Sequence, residues 1–123
     1  MDNELRALIY EQLAGGPWQV FDYVPADTDY PYITIGDSEA VDVGMIGTAL
    51  ENNFTTITCW SEYLGASEVM DMMQYIAGKL HRVRLQTSGG TKVSLWVRNR
   101  RASREIEDDT YMGNVTVEIL AQP

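Results

Sequence analysis

The residues able to do bond-breaking chemistry are few. His81 is the sole histidine and Cys59 the sole cysteine. A Ser-His-Asp triad would need His81 as its base, and no local motif supports one. A lone histidine at a helix end reads as a dipole partner or a surface residue. Cys59 stands between Thr58 and Trp60 in a β-rich run, where a free cysteine behaves as a small buried hydrophobe rather than a nucleophile. One cysteine allows neither an intrachain disulfide nor a cysteine-based zinc site. Gly15-Gly16 and Gly89-Gly90 lack the Lys-Ser/Thr and helix start of a phosphate loop. Asp27/Asp29 and Asp37/Glu39/Asp42 are loose carboxylate clusters without the residue order of a calcium loop. They read as solvated acidic loops, as does Glu107-Asp108-Asp109. The expectation is no catalytic set, no cofactor and no metal.

The remaining chemistry is that of surfaces. Arg98, Arg100, Arg101 and Arg104 crowd one predicted strand and its exit. In an acidic chain such a patch is expected to pair with an acidic neighbour rather than with phosphate. Trp18, Tyr30 and Tyr32 flank short extended pieces near turns, and Tyr and Trp suit interfaces that are dry at one end and wet at the other. The candidate interface residues are Asp37, Glu39, Asp42, Arg98, Arg100, Arg101, Trp18 and Tyr32.

Charge sharpens this. The 123 residues carry 9 Lys+Arg and 18 Asp+Glu, a formal net charge of -9. That balance argues against a general nucleic-acid grip, which needs a basic footprint. The imbalance is local: residues 1–78 hold only Arg6 against thirteen carboxylates, and residues 79–123 hold eight basic residues against five acidic. Hydrophobic residues make up 45%, enough for one core, and the length fits a single domain over 1–123. No apolar run reaches the roughly 20 residues of a membrane helix, and the acidic start lacks the form of a signal peptide.

Periodicity supplies the elements that must position these groups. Leu5, Leu8, Ile9 and Leu13 share one helical face from about Asp2 to Leu13, and Gly15-Gly16-Pro17 ends the helix. Val20–Val24 and Tyr30–Gly36 read as extended, with Pro31 at a strand start or edge. Asp37–Asn53 reads as a long loop or protruding hairpin. Phe54–Ser61 is rich in β-branched and aromatic residues and predicts a strand. A second helix opens at Gly65-Ala66-Ser67-Glu68 and buries Val69, Met72, Met73, Ile76 and Leu80. Its three methionines, Met70, Met72 and Met73, read as adaptable core filler. Strands follow at Arg82–Gln86, Lys92–Arg101 and Tyr111–Leu120, with Ala102–Asp109 as a polar connection. The expected class is α+β, with two helices packed on one face of a mostly antiparallel sheet of about four to six strands.

Tyr23-Val24-Pro25 followed by Tyr30-Pro31-Tyr32-Ile33-Thr34-Ile35-Gly36 resembles the proline-aromatic signature of small phage tail-completion proteins. These are the tail terminators, or head-to-tail joining proteins, of long-tailed phages and gene-transfer particles. Thr56–Ser61 with Gly65–Val69 and the following helix resembles the same family, and so does the opening helix. The likeness spans about residues 5–81 and fades beyond. It implies a non-enzymatic virion protein at the tail–neck junction, assembled in the host cytoplasm. It implies a ring, usually hexameric, that caps the head-proximal end of the tail tube. Such a ring stops tube growth and offers the surface on which the head docks. The implied partners are other copies of the chain, the tail tube protein and a head-side connector, with DNA passing through the lumen ungripped. The alternatives are a neck adaptor or stopper on the portal side, a tail tube protein, and a small ligand-binding domain around Trp18, Tyr30 and Tyr32.

Overall fold

A computed structural model describes residues 2–22, 24–42, 51–63, 65–105 and 110–122. In chain order the elements are α1 (Asp2–Leu13), β1 (Gln19–Phe21), β2 (Tyr32–Asp42), β3 (Glu51–Ser61), α2 (Ser67–Leu80), β4 (Val83–Gln86), β5 (Lys92–Glu105) and β6 (Thr110–Gln122). The strands form one six-stranded sheet in the order β1-β2-β3-β6-β5-β4. Four neighbour pairs run antiparallel, and β1 runs parallel to β2.

This corrects the expected class of two helices on one face of a mostly antiparallel sheet. The molecule is about 51% strand, and its mixed sheet is curled into a half-barrel. Two physical causes explain the error. First, polar segments without apolar alternation suggest connections in the sequence. A strand whose inward positions are polar needs no such pattern, and here Asn53, Thr55 and Thr110 are buried at 2–4% exposure. Asp37–Asp42 and Glu51–Asn53 are strand, paired from Ser38↔Thr55 to Asp42↔Glu51, which is the hairpin form of the expected loop or hairpin. Ala102–Glu105 likewise continues β5, paired out to Glu105↔Thr110. Residues 43–50, in the middle of the expected loop or hairpin, and residues 106–109 lie outside the described residues. Second, the register shifts between Ile35 and Ser38 on β2 and between Val97 and Asn99 on β5. Bulges add local twist and bend a sheet, which favours curling over a flat layer.

Both helices have the bounds their periodicity predicts. α2 buries Val69, Met72, Met73, Ile76 and Leu80 and lies against β6, β5 and β3. α1 buries Leu5, Ile9 and Leu13 and contacts α2, β2 and β1. Facing them are Ile33, Ile35, Ile57, Cys59, Val93, Leu95, Val115, Val117 and Ile119. Each such side chain contributes about 1.5–3 kcal/mol when fully buried. The Tyr75 hydroxyl donates to the Leu13 carbonyl at 2.7 Å, and Gln12 Nε2 donates to the Lys79 carbonyl at 3.1 Å, so the two helices are also tied by polar contacts.

Candidate functional site

The sheet face opposite the helices is polar and aromatic, and its two bulges set where charge is displayed. At the β2 bulge, Arg6 of α1 is the organiser. Its guanidinium donates to the Ile35 carbonyl at 2.7 Å, the Gly36 carbonyl at 2.6 Å and Ser38 Oγ at 3.0 Å. It also pairs with the Asp22 carboxylate just after β1. Carbonyls turned out of the ladder by the bulge thus find a charged donor, where leaving them unmet would be costly. Gly36 is required by contact: a Cβ there would stand 2.9 Å from the Thr56 carbonyl oxygen. Beyond the clamp, Asp37 and Glu39 are exposed. They border a shallow cleft of about 340 Å³ with Ser38, Phe54, Thr56 and Thr116. Asp42 closes the described part of β2 opposite Glu51.

At the β5 bulge, Arg98 is already engaged. Its Nε donates to Glu118 Oε1 at 2.6 Å, and Asn52 Nδ2 donates to Glu118 Oε2 at 2.7 Å. Glu118 is only 8% exposed, and both of its oxygens are held. Arg98 and Arg82 each lie over the Trp96 ring, at 5.5 and 5.7 Å. His81 meets the same ring edge-on, and its Nδ1 accepts the Val97 backbone N–H at 3.0 Å. Beyond the bulge the ladder is regular, and the pleat splits the next two arginines. Arg100 stands opposite Val115 and Arg101 opposite Asn114, so they serve opposite faces. Both are exposed, and neither has an ion-pair partner among the described residues.

The expected interface aromatics have different settings. Trp18 packs against the core and meets Tyr75 edge-on at 5.7 Å. Tyr32 is the hub of a ring run: Tyr30 stacks on it at 5.3 Å, Phe21 meets it at 6.0 Å and Trp60 lies at 6.3 Å. Partial burial, followed by the neighbouring Tyr30, pushes the Tyr32 phenol above its ordinary pKa. Trp60 Nε1 donates to Thr34 Oγ1 at 3.1 Å. Cys59 is fully buried, and burial pushes its thiol up to about 12, so it is not a nucleophile at neutral pH.

The structure therefore separates the proposed acidic and basic residues: β3 and β6 lie between β2 and β5. Three neighbour spacings put the two strands about 14 Å apart, too far for direct pairing within one chain. Sequence reasoning missed Arg6, Asn52, Glu118 and the acceptor role of His81. Only Arg6 left a signal, as the single cation in the first 78 residues.

The charged groups lie on both faces of the curled sheet, and among the described residues no cluster of three or more His, Cys, Asp or Glu is placed to hold a metal ion. The chain is a member of the family described as Tail completion protein gp17, whose profile it matches over residues 2–122. It is accordingly a structural protein of a phage-type tail, located in the virion, and not an enzyme. Nineteen chains of solved structures also match. One belongs to a structure described as the virion of a native gene transfer agent particle. It has 18% identity and a TM-score of 0.87, and the match covers 99% of this chain and 97% of that one. At that identity the likeness speaks to the fold. A comparison with curated protein sequences finds no match.

Proposed function

We propose that copies of this chain form a closed ring on the head-proximal end of the tail tube. The ring ends tube elongation and presents the surface on which the DNA-filled head docks. Its partners are further copies of itself, six in the family's usual arrangement, the tail tube protein and a head-side connector. The observation that carries the reading is the separation of charge: exposed Asp37 and Glu39 on β2, and exposed Arg100 and Arg101 on β5, at positions that cannot meet within one molecule. Two unlike patches on one subunit are what a head-to-tail ring requires. Asp42 extends the acidic side, while Trp18 and Tyr32 contribute at the rim. Arg98 braces the basic strand through Glu118 and supplies less of the contact itself. The carboxylate-rich first part offers a wall that repels the phosphates of passing DNA.

The test is charge reversal, Arg100→Glu with Arg101→Glu, read by size-exclusion chromatography and by electron microscopy of tails assembled with the variant. The expected result is loss of the ring and tails of uncontrolled length. Rings and tail lengths equal to those of the unaltered protein would overturn the proposal. Tails of normal length that fail to join heads would assign the chain to the portal side.

A further inference from the structure

The strand β1 stands at one edge of the sheet, away from the β5 arginines assigned to the proposed ring contact. It is last in the strand order, so one row of its backbone N–H and C=O groups has no neighbouring strand. The surroundings of that edge are built on both sides. On the outer face lie Phe21, Tyr30 and Tyr32, all half-exposed, with Tyr30 and Tyr32 stacked 17° from parallel. On the α1 side, Tyr10 is 46% exposed and stands between two clefts. One, of about 470 Å³, is lined by Arg6, Ala7, Tyr10, Glu11, Asp22 and Ile35. The other, of about 310 Å³, follows the chain from Ala14 to Phe21. Asp27 and Asp29 are exposed on the connection from β1 to β2, and Glu11 and Asp22, also exposed, line the first of these clefts. The cation bordering it, Arg6, is already committed to Asp22 and the β2 carbonyls.

The geometry points to a strand-addition site on β1 for an extended segment of a partner protein that alternates basic and apolar residues. Added strands bind through main-chain hydrogen bonds and are selected by pockets for alternate side chains. Alternate side chains leave an extended segment on opposite faces. One set enters the clefts beside Tyr10, where apolar groups fit. The other set crosses the Tyr30–Tyr32 stack, where arginine or lysine gains a cation–π contact and faces the nearby carboxylates. The chain uses this chemistry at its opposite edge, where Arg82 and Arg98 both cover Trp96. Its own β4 has a similar alternation, but Leu85 there packs against its own core, which favours a segment from another protein.

The test titrates labelled peptides of alternating Arg-Val and alternating Glu-Val into the unassembled full chain. Anisotropy reads binding, and amide hydrogen exchange reads its location. The Arg-Val peptide is expected to bind and to slow exchange at Gln19–Phe21. The Glu-Val peptide, and Arg-Val methylated on alternate backbone nitrogens, are expected to bind at least about tenfold more weakly. Tyr32→Leu should cause a similar loss. Asp27→Asn with Asp29→Asn, on an exposed turn, checks the electrostatic part without touching the sheet. Equal binding by the methylated peptide, protection at Val83–Gln86 instead, or unchanged binding by both variants would overturn the inference. Protection at Gln19–Phe21 on self-assembly without peptide would also overturn it, by giving the edge to a second copy. Because the readout uses unassembled chain, a failure of ring formation leaves this test standing.

Discussion

Arg6 ties three segments together with one side chain: α1, the residue after β1, and the β2 bulge. Charged donors to backbone carbonyls contribute more than neutral ones, roughly 1.5–3 kcal/mol each by substitution. Arg6→Ala should therefore destabilise the fold by about 2–4 kcal/mol, measured by denaturant unfolding, because several carbonyls lose their donor at once. Arg6→Lys keeps the charge but not the fork that reaches several acceptors, so it should recover less than half of the loss. Equal stability of Lys and Arg here would show that charge alone matters. Cys59 makes the contrary case of a reactive group made inert. Burial pushes its thiol up from an ordinary value of 9.0 to about 12 in the folded chain. The folded chain thus keeps a proton that the unfolded chain loses, and the thiol's contribution to stability falls as pH rises from 9.0 toward 12. In the folded protein a thiol reagent at mildly alkaline pH should leave Cys59 untouched, and denaturant should expose it. Sequence context was enough to read Cys59, since its neighbours are strand formers. It was not enough for Arg6, whose partners lie 16 to 32 residues away.

Legibility changes at the level of elements. Helices announced themselves because each has one wet and one dry face, and the spacing of Val69, Met72, Met73, Ile76 and Leu80 survives in the structure. Strands were legible only where the core imposed alternation. Past that limit, Ser38–Asp42 and Ala102–Glu105 are held by ladder hydrogen bonds, which any side chain can accompany. The two bulges were illegible for a related reason: each rests on contacts with distant residues. Glycines show how such contacts can be tested. A methyl at Gly36 meets a backbone oxygen at 2.9 Å, whereas one at Gly113 meets the Met73 side chain, with Sδ at 2.9 Å. Backbone yields less than a flexible thioether, so Gly36→Ala should cost more than Gly113→Ala, by about 1–2 kcal/mol in thermal or denaturant unfolding. The reverse order would mean that β2 moves more freely than Met73. The Arg98–Glu118 pair offers a second check. Removing Arg98 alone strands a buried carboxylate, while removing both partners does not. Arg98→Met should destabilise by about 2–3 kcal/mol, and Arg98→Met with Glu118→Leu by less. A double variant at least as unstable as the single would show that Glu118 owes its place to Asn52 instead.

For the whole molecule, the decisive quantity is where charge sits rather than how much there is. A net charge of -9 opposes the association of identical chains, so the proposed ring must gather its attractive pairs where copies touch. Internal pairing already removes Arg6, with Asp22, and Arg98, with Glu118, from that role. Exposed Arg100 and Arg101 on β5 and exposed Asp37 and Glu39 on β2 are left for it. Exposed pairs contribute only about 0.2–1 kcal/mol each, so ring closure through them depends on repetition around the circle and on salt. Screening at physiological ionic strength acts over about 8 Å, short of the separation between β2 and β5 within a chain but not of a direct contact between chains. Assembly followed by light scattering should therefore weaken steadily as salt rises. Arg100→Glu with Arg101→Glu should abolish it at any salt. Adding Asp37→Lys and Glu39→Lys to the same chain should restore it, since the two patches then exchange signs and remain complementary. Assembly that strengthens with salt, or a four-fold variant that stays monomeric, would place the contact on the aromatic and apolar surface instead.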